Sequence, residues 1–442
     1  MVRSPLRFFD PLYGRVELDD LEGRLVLSPE FQRLRCIRMC NINSMLVSGA
    51  SEISRFEHSV GVLRLAQLWG ETNGVAGDDR IVLRAAALLH DMQTGPFGHS
   101  LQYVVEDNQL GSTFVHDDIL HGYQEQFHQR LLATASYQGT VFSTPKILSR
   151  LWSRVAEAIK GKGKFGPLIS GSLDLDNLDN VVRLAYHVGV ATTDDVRQIP
   201  DFVKQLSVVM GELSVPPEGV QFIERWQQIR TKLYELLLLD WAEFSAKAML
   251  TLAIERAFDS GLLDQQSWLL TDAGLLSHLE AKGVGELQDI GELVRRLKTG
   301  SLYQPIFLAT IPETKLYETL GSTAKKRELE KEIAARLRSH GRSPGKVLVH
   351  LILDHKKTSR SVRAHVQGAA VPTVIGIDSK QLLIGVFSSV ELPPATRELA
   401  EMEFTQIIRE HTSCTLTPLT DPVMEANSLP QTSSMQLDLG LT

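Results

Sequence analysis

The chain has 442 residues, 43% of them hydrophobic and 22% charged, which is ordinary for a globular protein and too long for one typical hydrophobic core. A net charge of −7 argues against a surface that coats nucleic acid, although it is compatible with a local basic channel. With no apolar run near the ~20 residues of a membrane span, and only three cysteines, the sequence predicts a cytoplasmic protein without membrane contact.

The N-terminal third begins with weak signals and becomes helical. Turn-forming residues at 10–14 and alternation at 16–18 predict a short extended arm over residues 1–27. Ser28 and Pro29 predict a helix start, because serine caps helices and proline fits the first helical position. Apolar residues at 31, 34 and 37 predict that this helix continues through them. From about 58 to 310 the pattern is almost wholly helical.

The character of the sequence changes after about residue 340. Apolar, β-branched runs predict strands at 346–353, 371–377 and 381–387, followed by a helix at about 394–410. We therefore expect a mainly α fold, with a helical bundle over 1–339 and a small α/β appendage over 340–424. The tail, residues 425–442, is rich in Ser, Gln and Pro and predicts disorder.

Histidines and carboxylates stand at the ends of apolar helices. His90 and Asp91 end the apolar run 85–89, His58 lies at a helix start, and an acidic cluster surrounds Asp176. A His–Asp pair alone is more often a satisfied core pair, but the combination favours a metal site. Nitrogen and oxygen ligands suit Mn, Fe, Ni or Mg better than structural zinc, which usually takes thiolates. The sequence predicts a metal-dependent hydrolase.

The order and spacing of these motifs resemble the HD-domain phosphohydrolases, and among them the deoxynucleoside triphosphate triphosphohydrolases. The resemblance extends over roughly residues 10–310 and implies an HD-domain helical bundle. It rests on Asp10–Gly14, Ser28–Arg35, Gly49–Ser51, Arg55–Val62, His90–Asp91, Gly95–His99, and Leu173–Asp179 with Arg183 and Gly189.

The resemblance implies roles for individual residues. The implied metal ligands are His58, His90, Asp91 and Asp176, and Mn, Mg, Fe and Co are the candidate ions. Catalytic roles are implied for Arg55 and His99, which also contact substrate phosphates, and for a distal histidine. His121 is the candidate for that distal histidine, with His116 and His128 as rivals. Asn177, Asn180 and Arg183 are candidate substrate contacts, since helical periodicity places the last two on the face of Asp176.

The sequence departs from the resembled family in the substrate pocket. Asn177 replaces a basic residue, Asn180 a tyrosine, Leu184 the acid that reads the sugar, and Thr94 a histidine. Further His, Arg and Tyr positions of the family hold Leu237, Asp240, Phe244 and Ala248 here. At the regulatory nucleotide site of some members, Gln32 and Arg35 match, but Leu27 replaces the acid that reads guanine. These differences predict a rebuilt nucleotide pocket.

The main hypothesis is a dNTP triphosphohydrolase in nucleotide-pool control or antiviral nucleotide depletion. The resemblance also implies a homo-oligomer and raises the question of a nucleotide effector. One alternative is an HD nucleotidase or phosphodiesterase acting on nucleoside monophosphates or cyclic nucleotides. Another is a regulator that binds nucleotides or nucleic acid and retains a vestigial metal site. Basic segments at 325–338 and 356–363 are either solvated surfaces or a surface for an effector or single-stranded nucleic acid.

Overall fold

The computed structural model confirms a mainly α fold with small sheets. The described residues are 6–40, 52–98, 101, 104, 144–171, 173–209, 211–263, 267, 268, 270–354, 358–369, 371–378 and 381–419. The predicted disordered tail and the Gly49–Ser51 segment lie outside them. No helix among these residues has the length and apolar character needed to cross a membrane.

Sixteen α-helices of the described residues are used below by number. They are α1 (Asp20–Val26), α2 (Pro29–Gln32), α3 (Arg55–Thr72), α4 (Gly77–Leu89), α5 (Thr144–Leu148), α6 (Trp152–Ile159), α7 (Gly166–Ile169), α8 (Leu175–His187), α9 (Thr193–Gln205), α10 (Gly219–Leu239), α11 (Trp241–Asp259), α12 (Asp272–Lys282), α13 (Gln288–Thr299), α14 (Leu316–Leu320), α15 (Thr323–Ser339) and α16 (Pro394–Thr412). The strands are β1 (Arg7–Asp10), β2 (Gly14–Glu17), β3 (Ser207–Val209), β4 (Glu212–Val215), β5 (Gln304–Ile311), β6 (Val347–Leu353), β7 (Val362–Val366), β8 (Thr373–Ile375), β9 (Leu382–Ser388) and β10 (Thr417–Pro418).

The N-terminal region is more ordered than the predicted extended arm. Strands β1 and β2 form an antiparallel hairpin, and α1 follows them within the first 27 residues. Helix α1 begins with a capping box, in which Asp19 accepts hydrogen bonds from the first turn and Glu22 accepts one from the backbone N–H of Asp19. The predicted extended arm is therefore wrong over residues 20–26, where the Asp-x-x-Glu capping box starts a helix.

The helix predicted to start at Ser28 does start there but is short. The Ser28 hydroxyl accepts a hydrogen bond from Phe31 N, and Pro29 is the first helical residue. The α-helix ends at Gln32, a 3₁₀ turn spans Arg33–Cys36, and Ile37 is extended. The predicted continuation through residue 37 was therefore wrong.

The helical bundle that holds the site is built around α3. Helix α3 packs against α4, α8 and α9, while α8 also packs against α10. Buried apolar side chains from all these helices form one large core. Helix α4 is apolar almost all round over 85–89, which places it inside the bundle, as the sequence predicts.

Two segments predicted to be helical are strands. The hairpin of β3 and β4 interrupts the bundle, and β4 pairs in parallel with β7 of the C-terminal part, giving the order β3-β4-β7-β8. Strand β5 lies at 304–311 and pairs with β9 along its length. Short apolar runs fit a buried helix as well as a strand, so periodicity could not separate them.

The C-terminal part is a second packed unit joined to the bundle. Its four-stranded sheet has the order β10-β5-β9-β6, and α15 and α16 cover it to form a second core. The predicted strands and the helix near 394–410 correspond to β6, β8, β9 and α16. Strand β5 precedes the predicted boundary at 339/340 and pairs with β9, which follows it. The sheet therefore contains strands from both sides of that boundary.

Candidate metal centre

Three helix ends bring the predicted ligands together. Ser54 caps α3, whose first turn carries Arg55 and His58. His90 directly follows α4. Asp176 is the second residue of α8, whose N-terminal cap is Asp174. Helix ends place these side chains over space that helix interiors do not fill, because the backbone turns away there.

The side chains of His58, His90 and Asp176 converge on one point. The two imidazole Nε2 atoms lie 3.1 Å apart, and Asp176 Oδ1 lies 2.9 Å from His58 Nε2 and 3.6 Å from His90 Nε2. These three residues form a group whose ligand atoms are close enough to hold one ion. Asp91 Oδ2 lies 3.8 Å and 3.7 Å from the same nitrogens. The structure thus brings together the four predicted ligands.

The other nitrogen of each imidazole is already committed. His58 Nδ1 lies 2.6 Å from Asp179 Oδ1, and His90 Nδ1 lies 2.8 Å from the Ala87 carbonyl oxygen. Both partners accept hydrogen bonds, so each Nδ1 is the donor, and in the neutral form of each imidazole Nε2 presents a lone pair to the centre. Two lone pairs facing each other at 3.1 Å fit a cation between them, and such outer hydrogen bonds are typical of metal-binding histidines.

The electrostatics of the cluster favour positive charge at its centre. Burial alone would lower the pKa of His58, but hydrogen bonds to Asp176 and Asp179 raise it to about 10. Burial also opposes ionisation of Asp91, yet the positive charges of Arg55 and the two histidines lower the pKa of that carboxyl. Carboxylates that stabilise an imidazolium also stabilise a divalent cation. The donor set therefore fits a divalent metal.

The centre opens on the side of Asp176. That side chain is 32% exposed, whereas those of His58 and Asp91 are 1% and 7% exposed. This arrangement differs from a closed structural site, whose ligands surround the ion completely.

A buried ion-pair network holds Asp179 in place. Arg183 donates two hydrogen bonds to Asp179, at 2.9 and 2.8 Å, and further bonds to Asp10 and Glu57, both at 2.8 Å. Arg183 and Asp179 are both fully buried. The guanidinium therefore supports the ligand His58 from behind. The predicted substrate contact of Arg183 has no support in this geometry, because its charge is engaged by three carboxylates.

Arg55 lies against Asp91 rather than apart from the ligands. Its Nη1 donates a hydrogen bond to Asp91 Oδ2 at 2.7 Å, and the Thr94 hydroxyl donates to Asp91 Oδ1 at 3.0 Å. Asp91 thus points Oδ2 at both the centre and Arg55. No local sequence pattern indicates that Arg55 orients a ligand.

The turn after Asp91 is held from a distant part of the chain. Arg33 donates to the Thr94 carbonyl at 2.7 Å, and the Trp268 indole N–H donates to the Gln93 carbonyl at 2.7 Å. A Cβ at Gly95 would lie 2.9 Å from the Trp268 ring, so this close approach requires glycine. Neither Arg33 nor Trp268 was a candidate from sequence, because their contacts join residues far apart in the chain.

The remaining candidates divide between described and undescribed residues. Asp174 caps α8 and accepts from Asn177 N, while the Asn177 amide donates to the Asp174 carboxylate. Asn180 lies one turn beyond Asp176, and its buried Oδ1 has no hydrogen-bond partner within the described part of the chain. His99, His121 and the rivals His116 and His128 lie outside the described residues.

Comparisons with known proteins agree with the sequence resemblance. The family model for the HD domain matches residues 55–137, which include His58, His90 and Asp91. A Dictyostelium discoideum protein named deoxynucleoside triphosphate triphosphohydrolase SAMHD1 homolog is 24% identical over 320 residues, covering 67% of this chain and 59% of that protein. Human SAMHD1 is 24% identical over 225 residues, covering 45% and 36%. The resemblance to HD-domain phosphohydrolases is confirmed.

Two further comparisons concern an uncharacterized relative and a solved structure. An uncharacterized protein of Methanocaldococcus jannaschii is 24% identical over 275 residues, covering 61% of this chain and 54% of that protein. The chain thus spans between about half and two thirds of the length of such relatives. A crystal structure of a Bacteroides thetaiotaomicron phosphohydrolase has a TM-score of 0.63 at 17% identity, covering 86% of this chain and 99% of that one, which shows a shared fold.

Proposed function

We propose that this chain is a metal-dependent phosphohydrolase that cleaves dNTPs into deoxynucleoside and triphosphate. The match of its residues 55–137 to the HD-domain family model supports this proposal. The observation that carries the proposal is the convergence of His58 Nε2, His90 Nε2 and Asp176 Oδ1, with each Nδ1 committed elsewhere. The relatives named as deoxynucleoside triphosphate triphosphohydrolases support the substrate class.

In this proposal His58, His90, Asp91 and Asp176 hold the ion, for which Mn, Mg, Fe and Co are candidates. When bound, a divalent ion supplies positive charge that stabilises the transition state of phosphoryl transfer and lowers the pKa of water. The Asp179 carboxylate and the Ala87 carbonyl fix the tautomer and orientation of both imidazoles. Because both imidazoles are already oriented, they need not rearrange when substrate binds.

The proposed contacts to the substrate are one cation and one hydrogen-bond acceptor beside the centre. Arg55, held beside the centre by Asp91, is proposed to contact a phosphate oxygen. Asn180 is proposed to accept a hydrogen bond from a hydroxyl or N–H of the nucleoside, because its buried Oδ1 has no partner within the described ranges. A buried acceptor that is left without a donor costs free energy, which a bound hydroxyl would recover.

Proton transfer is assigned to histidines outside the described residues. His99 and His121 are proposed as the catalytic histidines, since an imidazole titrates near neutrality and can protonate a leaving oxygen. Separate His99→Ala, His116→Ala, His121→Ala and His128→Ala variants test this assignment. We expect large losses of kcat for the first and third only. A larger loss of kcat for His116→Ala or His128→Ala than for His121→Ala would identify that residue as the distal catalytic histidine instead of His121.

The proposal is tested by identifying the reaction products. Full-length protein is incubated with Mn, Mg, Fe or Co and each canonical NTP and dNTP, singly and mixed, and products are separated by chromatography. We expect deoxynucleoside and intact triphosphate, lost in His90→Ala and Asp176→Ala. No release of triphosphate under any metal or mixture would refute the dNTP assignment.

A nucleotidase or phosphodiesterase is the second candidate function. Leu184, at the position where the resembled family carries the acid that reads the sugar, is 3% exposed and apolar. A pocket without this acid gives weaker selection for a deoxynucleoside triphosphate. Release of inorganic phosphate from nucleoside monophosphates, or opening of a cyclic nucleotide, in the same assay would favour this candidate.

Regulation and assembly are further parts of the proposal. Turnover of mixed nucleotides without turnover of any single one would indicate an effector site, and light scattering with and without nucleotides tests homo-oligomerisation. A biological role in nucleotide-pool control or antiviral depletion requires the triphosphate product. A regulator with a vestigial site would instead keep its biological activity in His90→Ala.

A further inference from the structure

Arg360 belongs to the C-terminal unit but contacts the helix that carries Asp176. It lies between β6 and β7, and its Nη1 donates a hydrogen bond to Asn177 Oδ1 at 3.2 Å. Its Nη2 donates to the Gly171 carbonyl oxygen at 3.0 Å. Because Asn177 directly follows Asp176, the guanidinium lies at the first turn of α8, next in sequence to the exposed ligand of the proposed metal centre.

The backbone around Arg360 is fastened to α10. Gln227 Nε2 donates to the Arg360 carbonyl oxygen at 2.9 Å, and the Thr231 hydroxyl donates to the Thr358 carbonyl oxygen at 2.8 Å. Two bonds from successive turns of one helix fix the direction of this segment. The position of the guanidinium near α8 is therefore set by the fold and not by a flexible loop tip.

A second guanidinium lies close to that of Arg360. Arg230 stands on α10 between the two anchoring residues and is only 5% exposed. Burial lowers the pKa of Arg230 and the positive charge of Arg360 lowers it further, whereas Tyr234 and the Asp354 carboxylate raise it. Because Asp354 lies near Arg230, the cation of the two that can meet a bound anion is Arg360.

Arg360 retains donors for such an anion. Its guanidinium carries five N–H groups, and the two contacts above use only part of them. Within the described ranges, no carboxylate forms an ion pair with it. A guanidinium that contacts neutral oxygens alone keeps its full charge for a ligand.

We propose that Arg360 is a phosphate-binding residue, through which the C-terminal unit contributes to the active site of the bundle. Its guanidinium would contact the phosphates of the substrate that lie beyond the metal. This inference rests on the proposed function for the identity of the substrate. It adds that the bundle alone has an incomplete site, because this cation comes from the C-terminal unit.

Two roles for Arg360 can be separated by substitution. Arg360→Lys keeps the positive charge but loses the planar pair of bonds to Asn177 and Gly171, whereas Arg360→Gln removes the charge and keeps a side-chain donor. A phosphate-binding role depends on the charge. A purely structural clamp depends on the two bonds. Arg363→Gln is the matched control, since Arg363 is exposed on the neighbouring strand and lies 3.7 Å from Glu212.

The test measures the affinity of inorganic tripolyphosphate for the full-length protein by calorimetry, with chelator present and again with saturating Mn²⁺. We expect Arg360→Gln to weaken binding roughly tenfold or more in both conditions, as for loss of a charged hydrogen bond. Arg360→Lys should weaken it less than Arg360→Gln, and Arg363→Gln should leave it unchanged. Thermal unfolding and Mn²⁺ affinity should stay close to the values of the unmodified protein in all three variants.

Equal tripolyphosphate affinity in Arg360→Gln and the unmodified protein would overturn the proposal. So would an equal loss in the Lys and Gln variants accompanied by a lower melting temperature, since that pattern indicates a clamp. The binding assay needs no turnover, so its outcome stays separate from the fate of the proposed function. If the unmodified protein hydrolyses dNTPs, Arg360→Gln should also raise KM more than it lowers kcat.

Discussion

Replacing Asp179 by asparagine should weaken metal binding, although this residue is not itself a ligand. Asp179 holds His58 through Nδ1 at 2.6 Å and accepts two bonds from Arg183. The side-chain oxygen of an asparagine at this position would still accept a hydrogen bond from the imidazole Nδ1–H, but a neutral amide replaces a carboxylate. A hydrogen bond to a charged group contributes about 1.5–3 kcal/mol and a neutral one about 0.5–1.5 kcal/mol.

The difference of roughly 1–1.5 kcal/mol corresponds to about a tenfold loss of metal affinity. The cost to folding is larger, because Arg183 loses one partner of a buried pair. Removing one partner of such a pair costs about 3–5 kcal/mol. Since Arg183 retains Asp10 and Glu57, each at 2.8 Å, we expect about 2–3 kcal/mol, at or just below the lower end of that range.

Calorimetric titration with Mn²⁺ and urea unfolding measure the two effects separately. Asp195→Asn is the matched control, because Asp195 is also largely buried and accepts two bonds from Arg225 of α10, and neither residue belongs to the metal centre. It should lose stability without losing metal affinity. Unchanged Mn²⁺ affinity in Asp179→Asn, with stability reduced, would refute the reasoning that this carboxylate orients the ligand.

Three further predictions concern folding stability. Gly61→Ala should cost about 3–5 kcal/mol in urea unfolding, because its Cβ would overlap the buried guanidinium of Arg183. Glu255→Gln should cost a similar amount by the same measurement, since it leaves the buried ammonium of Lys326 without its carboxylate. His350 is buried, and burial together with neighbouring cations holds its pKa well below 6.5. As pH falls below about 6.5 only the unfolded chain gains this proton, so stability should fall by up to about 1.4 kcal/mol per pH unit from this residue, and His350→Leu should remove that slope.

The first two have a control variant within the chain, and the third is compared with the unmodified protein. Gly70→Ala, on the same helix, meets a Leu83 methyl at 3.3 Å and Val75 Cβ at 3.8 Å, and should be tolerated. Glu328→Gln breaks an exposed pair and should cost less than about 1 kcal/mol. Stability of Gly61→Ala equal to that of Gly70→Ala, or of Glu255→Gln equal to that of Glu328→Gln, would contradict the burial arguments. The His350 argument would be contradicted if the free energy of unfolding of His350→Leu had the same pH dependence between about pH 7 and pH 5 as that of the unmodified protein.

The ligands were readable from sequence because each stands where an apolar helix begins or ends. His58, His90 and Asp176 lie in short motifs whose helical context is local. The helical bundle followed from periodicity for the same reason. Helix α1 was also readable, since the capping box of Asp19 and Glu22 is a local signal.

Other features depend on contacts between distant residues. Arg183 looked like a substrate contact from its helical face, but its partner Asp10 lies 173 residues away. Arg360 and Asn177 are 183 residues apart, so no local pattern indicates their contact. Strand β5 was read as helix because its pairing with β9 decides its conformation. Tertiary contacts of this kind override local preference.

The central claim is that one divalent ion binds between His58, His90, Asp91 and Asp176. The most direct test counts the Mn²⁺ ions bound per chain by equilibrium dialysis, in the unmodified full-length protein and in Asp176→Ala. We expect one tightly bound ion per chain, lost in the variant. Tight binding that survives Asp176→Ala unchanged, or no bound ion in the unmodified protein, would contradict it.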